Sequence, residues 1–217
     1  MKDKLRWIIP LSVAFLLILF LIGYYNLKPR LGYVLDEKTN TYLVDKAYGN
    51  SKEYVIPELH NGKNVSGINT RAFYRHTKLE KIVFEKAENI KIIKRLAFSE
   101  CEKLSEIDLS TVNTIERNAF SYDYSLDDIK LSAIDIGSSA FYKCTSLEDV
   151  EFLEGLKTIG AFAFSYCPLK EVKMPKSISI IYQDAFKYCE EITKFSVYYK
   201  TDSDYAKTIT GYEKYYD

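Results

Sequence analysis

The stretch Ile136-Gly-Ser-Ser-Ala-Phe-Tyr-Lys-Cys-Thr-Ser-Leu-Glu-Asp-Val150 decides the fold, because its pattern of apolar residues recurs along the chain. The pair Ala140-Phe141 inside it has five counterparts, and successive pairs are 21 to 25 residues apart. The counterparts are Ala72-Phe73, Ala97-Phe98, Ala119-Phe120, Ala163-Phe164 and Ala185-Phe186. A recurring period of roughly 20–29 residues indicates a solenoid, in which each repeat forms one coil.

The agreement between the copies extends beyond the phenylalanines. An isoleucine stands five residues before each of them, and an L-x-x-I-x-L pattern follows, with conservative replacements. The isoleucines are Ile68, Ile93, Ile115, Ile136, Ile159 and Ile181. One coil cannot bury these side chains alone, whereas stacked coils align them into ladders. We therefore expect the six phenylalanines to anchor the core and the I-x-L stretches to pair into one parallel sheet.

The motif I-x-x-x-A-F-x-x-C-x-x-L-x-x-I-x-L resembles the BspA-type leucine-rich repeat family over roughly residues 50–200. The resemblance implies a leucine-rich-repeat β-solenoid with short parallel strands and about six coils of 21–25 residues. It also implies a surface-exposed protein, since many members bind host or matrix proteins. The third copy departs from the pattern, because Asp123 replaces its cysteine.

The N-terminal segment is a separate object. Residues 7–25 carry no charge, and as a helix they would be about 28 Å long, close to the thickness of a bilayer core. Trp7 and Tyr25 suit the two membrane interfaces. We expect a cytoplasmic tail at 1–6, a transmembrane helix at 7–25 and a stalk at 26–32, in a single-pass protein of a bacterial plasma membrane. A cleaved signal peptide, which would leave the protein secreted, is the alternative.

The exported part divides into a cap, the repeats and a tail. Tyr33–Leu35 and Tyr42–Val44 flank a polar turn and predict a hairpin. Together with the segment that follows, they predict an N-terminal cap and opening coil at 33–64, because solenoid ends need covers. The repeats then occupy 65–197, and a C-terminal cap and tail occupies 198–217 on the extracellular side.

All four cysteines lie at the same position of the repeat, three residues after the phenylalanine. They are Cys101, Cys144, Cys167 and Cys189. Equivalent residues of stacked coils are about 4.8 Å apart, farther than a disulfide prefers. This register favours a buried ladder of free thiols, with a strained Cys144–Cys167 or Cys167–Cys189 bridge as the alternative. A zinc site is disfavoured, since the short C-x-x-C pairing is absent.

Little in the sequence predicts chemistry. His76 takes the cysteine position of the first copy and is expected at the edge of the core. The acidic run from Asp123 to Asp128 is expected as a solvated turn rather than a calcium site. No acid, base and nucleophile stand at a recognisable spacing, so we expect no enzyme, catalytic residue, cofactor or metal site. The formal net charge of zero disfavours nucleic acid as a partner.

Tyrosines follow the repeat phenylalanine by one or two residues, where side chains should leave the core. They are Tyr74, Tyr122, Tyr142, Tyr166 and Tyr188. Stacking would align them into an external aromatic stripe suited to protein interfaces, although the rings could instead cover backbone. We therefore expect a membrane-anchored extracellular module for protein recognition or adhesion, with a glycan as another possible partner. The alternative is a structural scaffold subunit of a cell-envelope complex.

Overall fold

The computed structural model describes residues 29–197, where short strands recur once or twice in each turn of the chain. In chain order they are β1 (Arg30–Asp36), β2 (Thr41–Tyr48), β3 (Glu53–Ile56), β4 (Leu59–His60), β5 (Lys63–Ile68), β6 (Lys81–Phe84), β7 (Ile92–Ile93), β8 (Thr114–Ile115), β9 (Asp128–Leu131), β10 (Asp135–Ile136), β11 (Asp149–Phe152), β12 (Thr158–Ile159), β13 (Glu171–Lys173), β14 (Ile180–Ile181) and β15 (Lys194–Ser196). A 3-10 helical turn spans Ala87–Asn89. The repeat solenoid predicted by the sequence is confirmed.

The continuous sheet is built around the repeat isoleucines. After the antiparallel β1–β2 hairpin, β2, β5, β7, β8, β10, β12 and β14 pair in this order, each parallel to the next. Ile93 therefore pairs with Ile68 and with Ile115, and the equivalent isoleucines continue this ladder. The hairpin lies where the sequence predicts it, and β2 adds a rung ahead of the six repeats.

The I-x-L stretches do not form the single sheet that the sequence predicts. They pair in three separate parallel couples, which are β3–β6, β9–β11 and β13–β15. The second repeat contributes only an isolated β-bridge, which joins Glu106 to Lys81. The fifth repeat reaches Val172 one residue early, and the pairing stops between β11 and β13. The segment from the repeat isoleucine to the phenylalanine has the same length in every copy and keeps its register from coil to coil, whereas the I-x-L strands do not.

The six repeat phenylalanines form one stacked column through the core. Consecutive rings lie 5.0 to 5.3 Å apart between centroids and within 15° of parallel. The backbone joins the coils at the same place, because the amide of Phe120 donates to the carbonyl of Ala140 at 2.8 Å, and four other repeats repeat this bond at that distance. The alanines are fully or almost fully buried. The Ala-Phe pair thus carries both ring stacking and coil-to-coil hydrogen bonding.

The cysteines are confirmed as a buried ladder of free thiols. Each Sγ donates a hydrogen bond to the phenylalanine carbonyl of an earlier coil. Cys101 bonds Phe73, and Cys144 bonds Phe120, at 3.0 and 3.2 Å. Cys167 and Cys189 make the same bond at 3.1 and 3.0 Å. Each of these carbonyls also accepts the backbone N–H of the residue three positions after its phenylalanine, so the thiol adds a second hydrogen bond that links neighbouring coils.

The prediction of a solvated turn is wrong for Asp123. Its side chain is fully buried at the cysteine position of the third repeat. One carboxyl oxygen, Oδ1, accepts the backbone N–H of Cys101 at 2.8 Å, and Oδ2 has no partner among the described residues. Burial raises the pKa of this carboxyl well above its ordinary value, so it favours the protonated form. His76 is half-buried at the edge of the core, as expected, against Tyr54 and Phe73.

Several expectations concern residues outside the described range. The tail at 1–6, the transmembrane helix at 7–25 and the C-terminal cap at 198–217 all lie there. Strand β1 begins at Arg30, so the last residues of the expected stalk at 26–32 belong to the hairpin. Between residues 29 and 197, no helix has the length and apolar character needed to span a bilayer.

Replacing Phe141 by alanine should lower the free energy of unfolding by about 3–5 kcal/mol, as for other buried phenylalanines. Its ring is fully buried and stacks on Phe120 and Phe164 at 5.2 and 5.1 Å. Urea denaturation measures the loss. Phe162→Ala is the control, because this ring is 38% exposed and should cost about 1 kcal/mol or less. Equal losses in the two variants would contradict a central phenylalanine column.

The thiol ladder predicts four reactive thiols per chain once the protein is denatured without reductant. In the folded protein the same thiols should react slowly, since all four are buried. Titration with a chromogenic disulfide reagent, before and after denaturation, measures both states. A count below four in the denatured protein would mean that a disulfide has replaced the ladder.

Asp123→Asn should make stability less dependent on pH. Burial raises the pKa of Asp123 in the folded protein. The stabilisation that its protonated carboxyl provides is therefore complete below the unfolded pKa of about 4, and it is lost as the pH rises toward the folded pKa. Asparagine keeps an oxygen for the Cys101 amide and cannot ionise. Between about pH 5 and 8, the melting temperature of the variant should fall less than that of the wild type. The exposed neighbour provides the control Asp127→Asn, and identical pH profiles for all three proteins would refute this account.

Candidate functional site

The turn around each Ala-Phe pair fixes where the next side chains point. The residue two positions after the phenylalanine has a left-handed backbone in every repeat, with φ between 60° and 66°. These residues are Arg75, Glu100, Tyr122, Lys143, Tyr166 and Tyr188. A non-glycine residue in this conformation costs of order 1 kcal/mol or more, and inter-coil hydrogen bonds hold it there. Tyr122 and Tyr166, for example, donate their N–H groups to the next coil at 2.8 and 3.0 Å.

Four of the predicted tyrosines meet on one surface. We call Tyr122, Tyr142, Lys143, Tyr166 and Tyr188 the tyrosine row. The rings of Tyr122 and Tyr142 lie edge to face at 5.5 Å, and those of Tyr142 and Tyr166 at 5.6 Å. Tyr166 and Tyr188 stack at 4.5 Å. Each ring touches its neighbour, so the row is a continuous aromatic surface that spans four coils.

Lys143 belongs to the row, although its importance was not predicted from the sequence. Its Nζ lies 5.5 Å from the ring centroids of Tyr122 and Tyr142 and 5.4 Å from that of Tyr166. A cation over a tyrosine face contributes about 0.5–1 kcal/mol at an exposed site. The signal that could have identified it is its register, because Lys143 occupies the same repeat position as Tyr122 and Tyr166. One positive charge thus lies beside three rings of the row.

Tyr74, the fifth predicted tyrosine, is not part of the row. Its hydroxyl donates to Oε1 of Glu100 at 2.8 Å, and Arg75 pairs with the same carboxylate at 2.8 Å. The hydrogen bond to Glu100 raises the pKa of Tyr74. In the second repeat Ser99 and Glu100 stand where a tyrosine would be needed to bridge to Tyr122. The stripe therefore starts two coils later than the sequence predicts.

Exposure increases toward the C-terminal end of the tyrosine row. Tyr122 and Tyr142 are partly covered, whereas Tyr166 is 40% and Tyr188 52% exposed. Tyr124, which is not among the five predicted tyrosines, extends the surface with its ring 6.3 Å from that of Tyr122. The rings are thus partly covered at one end of the row and present contact area at the other.

The outer face of the I-x-L strands offers less for recognition. Its charged side chains pair between adjacent coils, as Lys130 does with Glu151 at 2.9 Å and Lys194 with Glu171 at 3.0 Å. Such exposed pairs contribute about 0–1 kcal/mol each and are screened by salt. Charges of both signs alternate there and neutralise one another. This face is therefore a solvated surface without a single-sign field.

The groups that could carry chemistry are buried or scattered. Burial raises the pKa of the Cys101 thiol and of the Cys144 thiol well above the ordinary value for cysteine, and it raises the pKa of Cys189 to about 12. These three thiols therefore stay protonated at neutral pH. Within residues 29–197, no three His, Cys, Asp or Glu side chains converge as metal ligands would. What the described surface offers is aromatic contact area with a fixed geometry.

Comparison with solved structures finds bacterial leucine-rich repeat proteins. A leucine rich cell surface protein from Faecalibacterium prausnitzii is 23% identical, with a TM-score of 0.63 over 77% of this chain and 54% of that one. The pneumococcal vaccine antigen PcpA is 21% identical, with a TM-score of 0.58 over 80% of this chain and 48% of that one. This chain thus spans about half the length of either protein, and the likeness shows a shared fold.

The leucine-rich repeat protein TpLRR from T. pallidum is 26% identical, with a TM-score of 0.53 over 77% of this chain and 68% of that one. A search of curated proteins gives no match. The profile of the BspA type leucine rich repeat region matches six copies, over residues 36–134 and 128–206. These residues are most of the chain and include every repeat described above. The protein belongs to the BspA-type leucine-rich repeat family.

Proposed function

We propose that this chain is a bacterial surface protein that binds another protein through the tyrosine row. The observation that carries the proposal is the continuous contact of four tyrosine rings and Lys143, with Tyr166 and Tyr188 well exposed. Membership of the BspA-type family supports a role in protein binding or adhesion. On this proposal, the recognition or adhesion module expected from the sequence binds through this surface.

Preorganisation makes the tyrosine row suitable for binding. Tyrosine buries a large amphipathic area for the loss of only two side-chain rotations. Here the left-handed backbone and the ring-to-ring contacts fix much of that freedom before any partner arrives. The hydroxyl groups can also bond a polar partner surface at the rim. The entropy cost of binding is correspondingly smaller than for a flexible loop.

The proposal places the described solenoid outside the cell. Residues 7–25 act as the membrane anchor, with 1–6 in the cytoplasm, and the cap and repeats at 33–64 and 65–197 face the exterior. The apolar composition of residues 7–25 and the bacterial cell-surface origin of the F. prausnitzii relative support this topology. A protein held at the envelope in this way meets its partners at the surface or in the surrounding medium.

Site-specific photocross-linking on the intact cell tests the proposal. A photoreactive phenylalanine analogue in place of Tyr188 should capture one protein reproducibly. The matched control replaces Tyr182, which is in the same repeat and equally exposed at 51% against 52%, but outside the tyrosine row. The captured partner should then bind the double variant Tyr166→Ser, Tyr188→Ser at least tenfold more weakly, since exposed aromatic anchors dominate interfaces. Tyr182→Ser should keep the wild-type affinity.

Two outcomes would contradict the proposal. Cross-linking that is equal from the Tyr182 and Tyr188 positions would show no preference for the tyrosine row. Unchanged partner affinity in the folded double variant would remove the row from the interface. Capture of integral envelope proteins from both positions would favour the alternative, a scaffold subunit of an envelope complex.

A further inference from the structure

The exposed end of the tyrosine row opens into a groove. It has a volume of about 330 Å³ and is lined chiefly by Tyr166, Tyr188, Pro168, Glu190 and Glu191. The two rings and the proline provide apolar walls, and the glutamates add two carboxylates to the lining. Its lining comes chiefly from the last described repeat and the one before it, and Thr145 of the fourth repeat adds to it. We call it the terminal groove.

The carboxylates of the terminal groove are not neutralised locally. Among residues 29–197, Glu190 and Glu191 form no ion pair or hydrogen bond through their side chains, and both are exposed. The neighbouring cations are engaged elsewhere. Lys170 pairs with Glu148 and adds only a long-range field at Glu191. Lys187 pairs with Asp184 at 3.4 Å.

The ring faces of the groove are already occupied, which decides how a ligand can use it. Tyr166 and Tyr188 stack on each other, Lys143 lies 5.4 Å from the first ring and Lys187 lies 5.4 Å from the second. A further cation would therefore gain little from ring faces. It would gain instead from the two carboxylates, while its methylene groups pack along the ring edges and Pro168.

We propose that the terminal groove binds an arginine or lysine side chain of the protein partner, with Glu190 and Glu191 receiving its charge. The two carboxylates favour a basic side chain through charge complementarity, and the apolar walls favour a side chain with a long aliphatic stem. Arginine fits best, since its planar fork can bond two carboxylate oxygens at once. The inference rests on the proposed function, because it names the chemistry of the partner at the end of the tyrosine row.

A tetra-arginine peptide is the probe, and tetra-citrulline, which has the same shape without charge, is its matched control. Isothermal titration of the full chain at about 0.15 M salt should detect the first peptide and give at least tenfold weaker binding for the second. Glu190→Gln, Glu191→Gln should also weaken tetra-arginine binding at least tenfold. The double variant Glu88→Gln, Glu102→Gln removes the same charge from exposed glutamates elsewhere and should leave the affinity unchanged.

Several results would overturn the groove assignment. These are equal affinity for the two peptides, equal affinity in the Glu190→Gln, Glu191→Gln variant, or an equal loss in the Glu88→Gln, Glu102→Gln control. The last would show that net charge alone attracts the peptide. Preference for a tetra-aspartate peptide over tetra-arginine would assign the surface to Lys143 and Lys187 instead and would equally refute it.

The cross-linked partner separates this inference from the proposed function. If the partner needs Tyr166 and Tyr188 but binds the Glu190→Gln, Glu191→Gln variant normally, the groove assignment fails and the proposed function stands. If the partner ignores the tyrosines while tetra-arginine binding still requires both glutamates, the proposed function fails and the groove remains a site for basic side chains.

Discussion

The hydrogen bond from each repeat phenylalanine to the alanine carbonyl of the next coil is the constraint on which the rest of the structure depends. It measures 2.8 Å in five successive repeats, and the rings beside it stack at 5.0 to 5.3 Å. A larger residue than alanine would push the coils apart at this point, because its side chain is buried against them. Together, this hydrogen bond and the ring stacking fix how far each coil is translated and rotated relative to the coil before it.

Once this register is fixed, every position near it forms a column. Three residues after the phenylalanine the column is made of thiols, with His76 and Asp123 as exceptions, and each thiol bonds a phenylalanine carbonyl of an earlier coil. Two residues after, the backbone is left-handed and the column carries Tyr122, Lys143, Tyr166 and Tyr188. The core and the proposed binding surface are thus adjacent columns of one turn, so the register that aligns the first also aligns the second.

The sequence predicts the parts of the fold that repeat at a constant spacing. The period, the phenylalanine column and the free thiols follow from positions that never shift between copies. The isoleucine ladder was predicted, but not that the continuous sheet forms at it, because strands of two residues are too short to show alternation. The I-x-L sheet was overpredicted, because the second repeat contributes only an isolated bridge and the pairing stops where the fifth repeat is one residue short. Asp123 was misassigned because its acidic neighbours suggested solvent, although its register placed it in the core.

The candidate site was predictable from the sequence to the same extent as the fold. Grouping tyrosines at either of two positions admitted Tyr74 and overlooked Lys143, whereas strict register would have found the lysine.

Amide hydrogen exchange of the folded chain tests whether register is fixed at the Ala-Phe pair. The amides of Phe73, Phe98, Phe120, Phe141 and Phe164 should exchange slowest, through global unfolding. Exchange of these amides as fast as those of the hairpin turn at residues 37–40 would contradict the account.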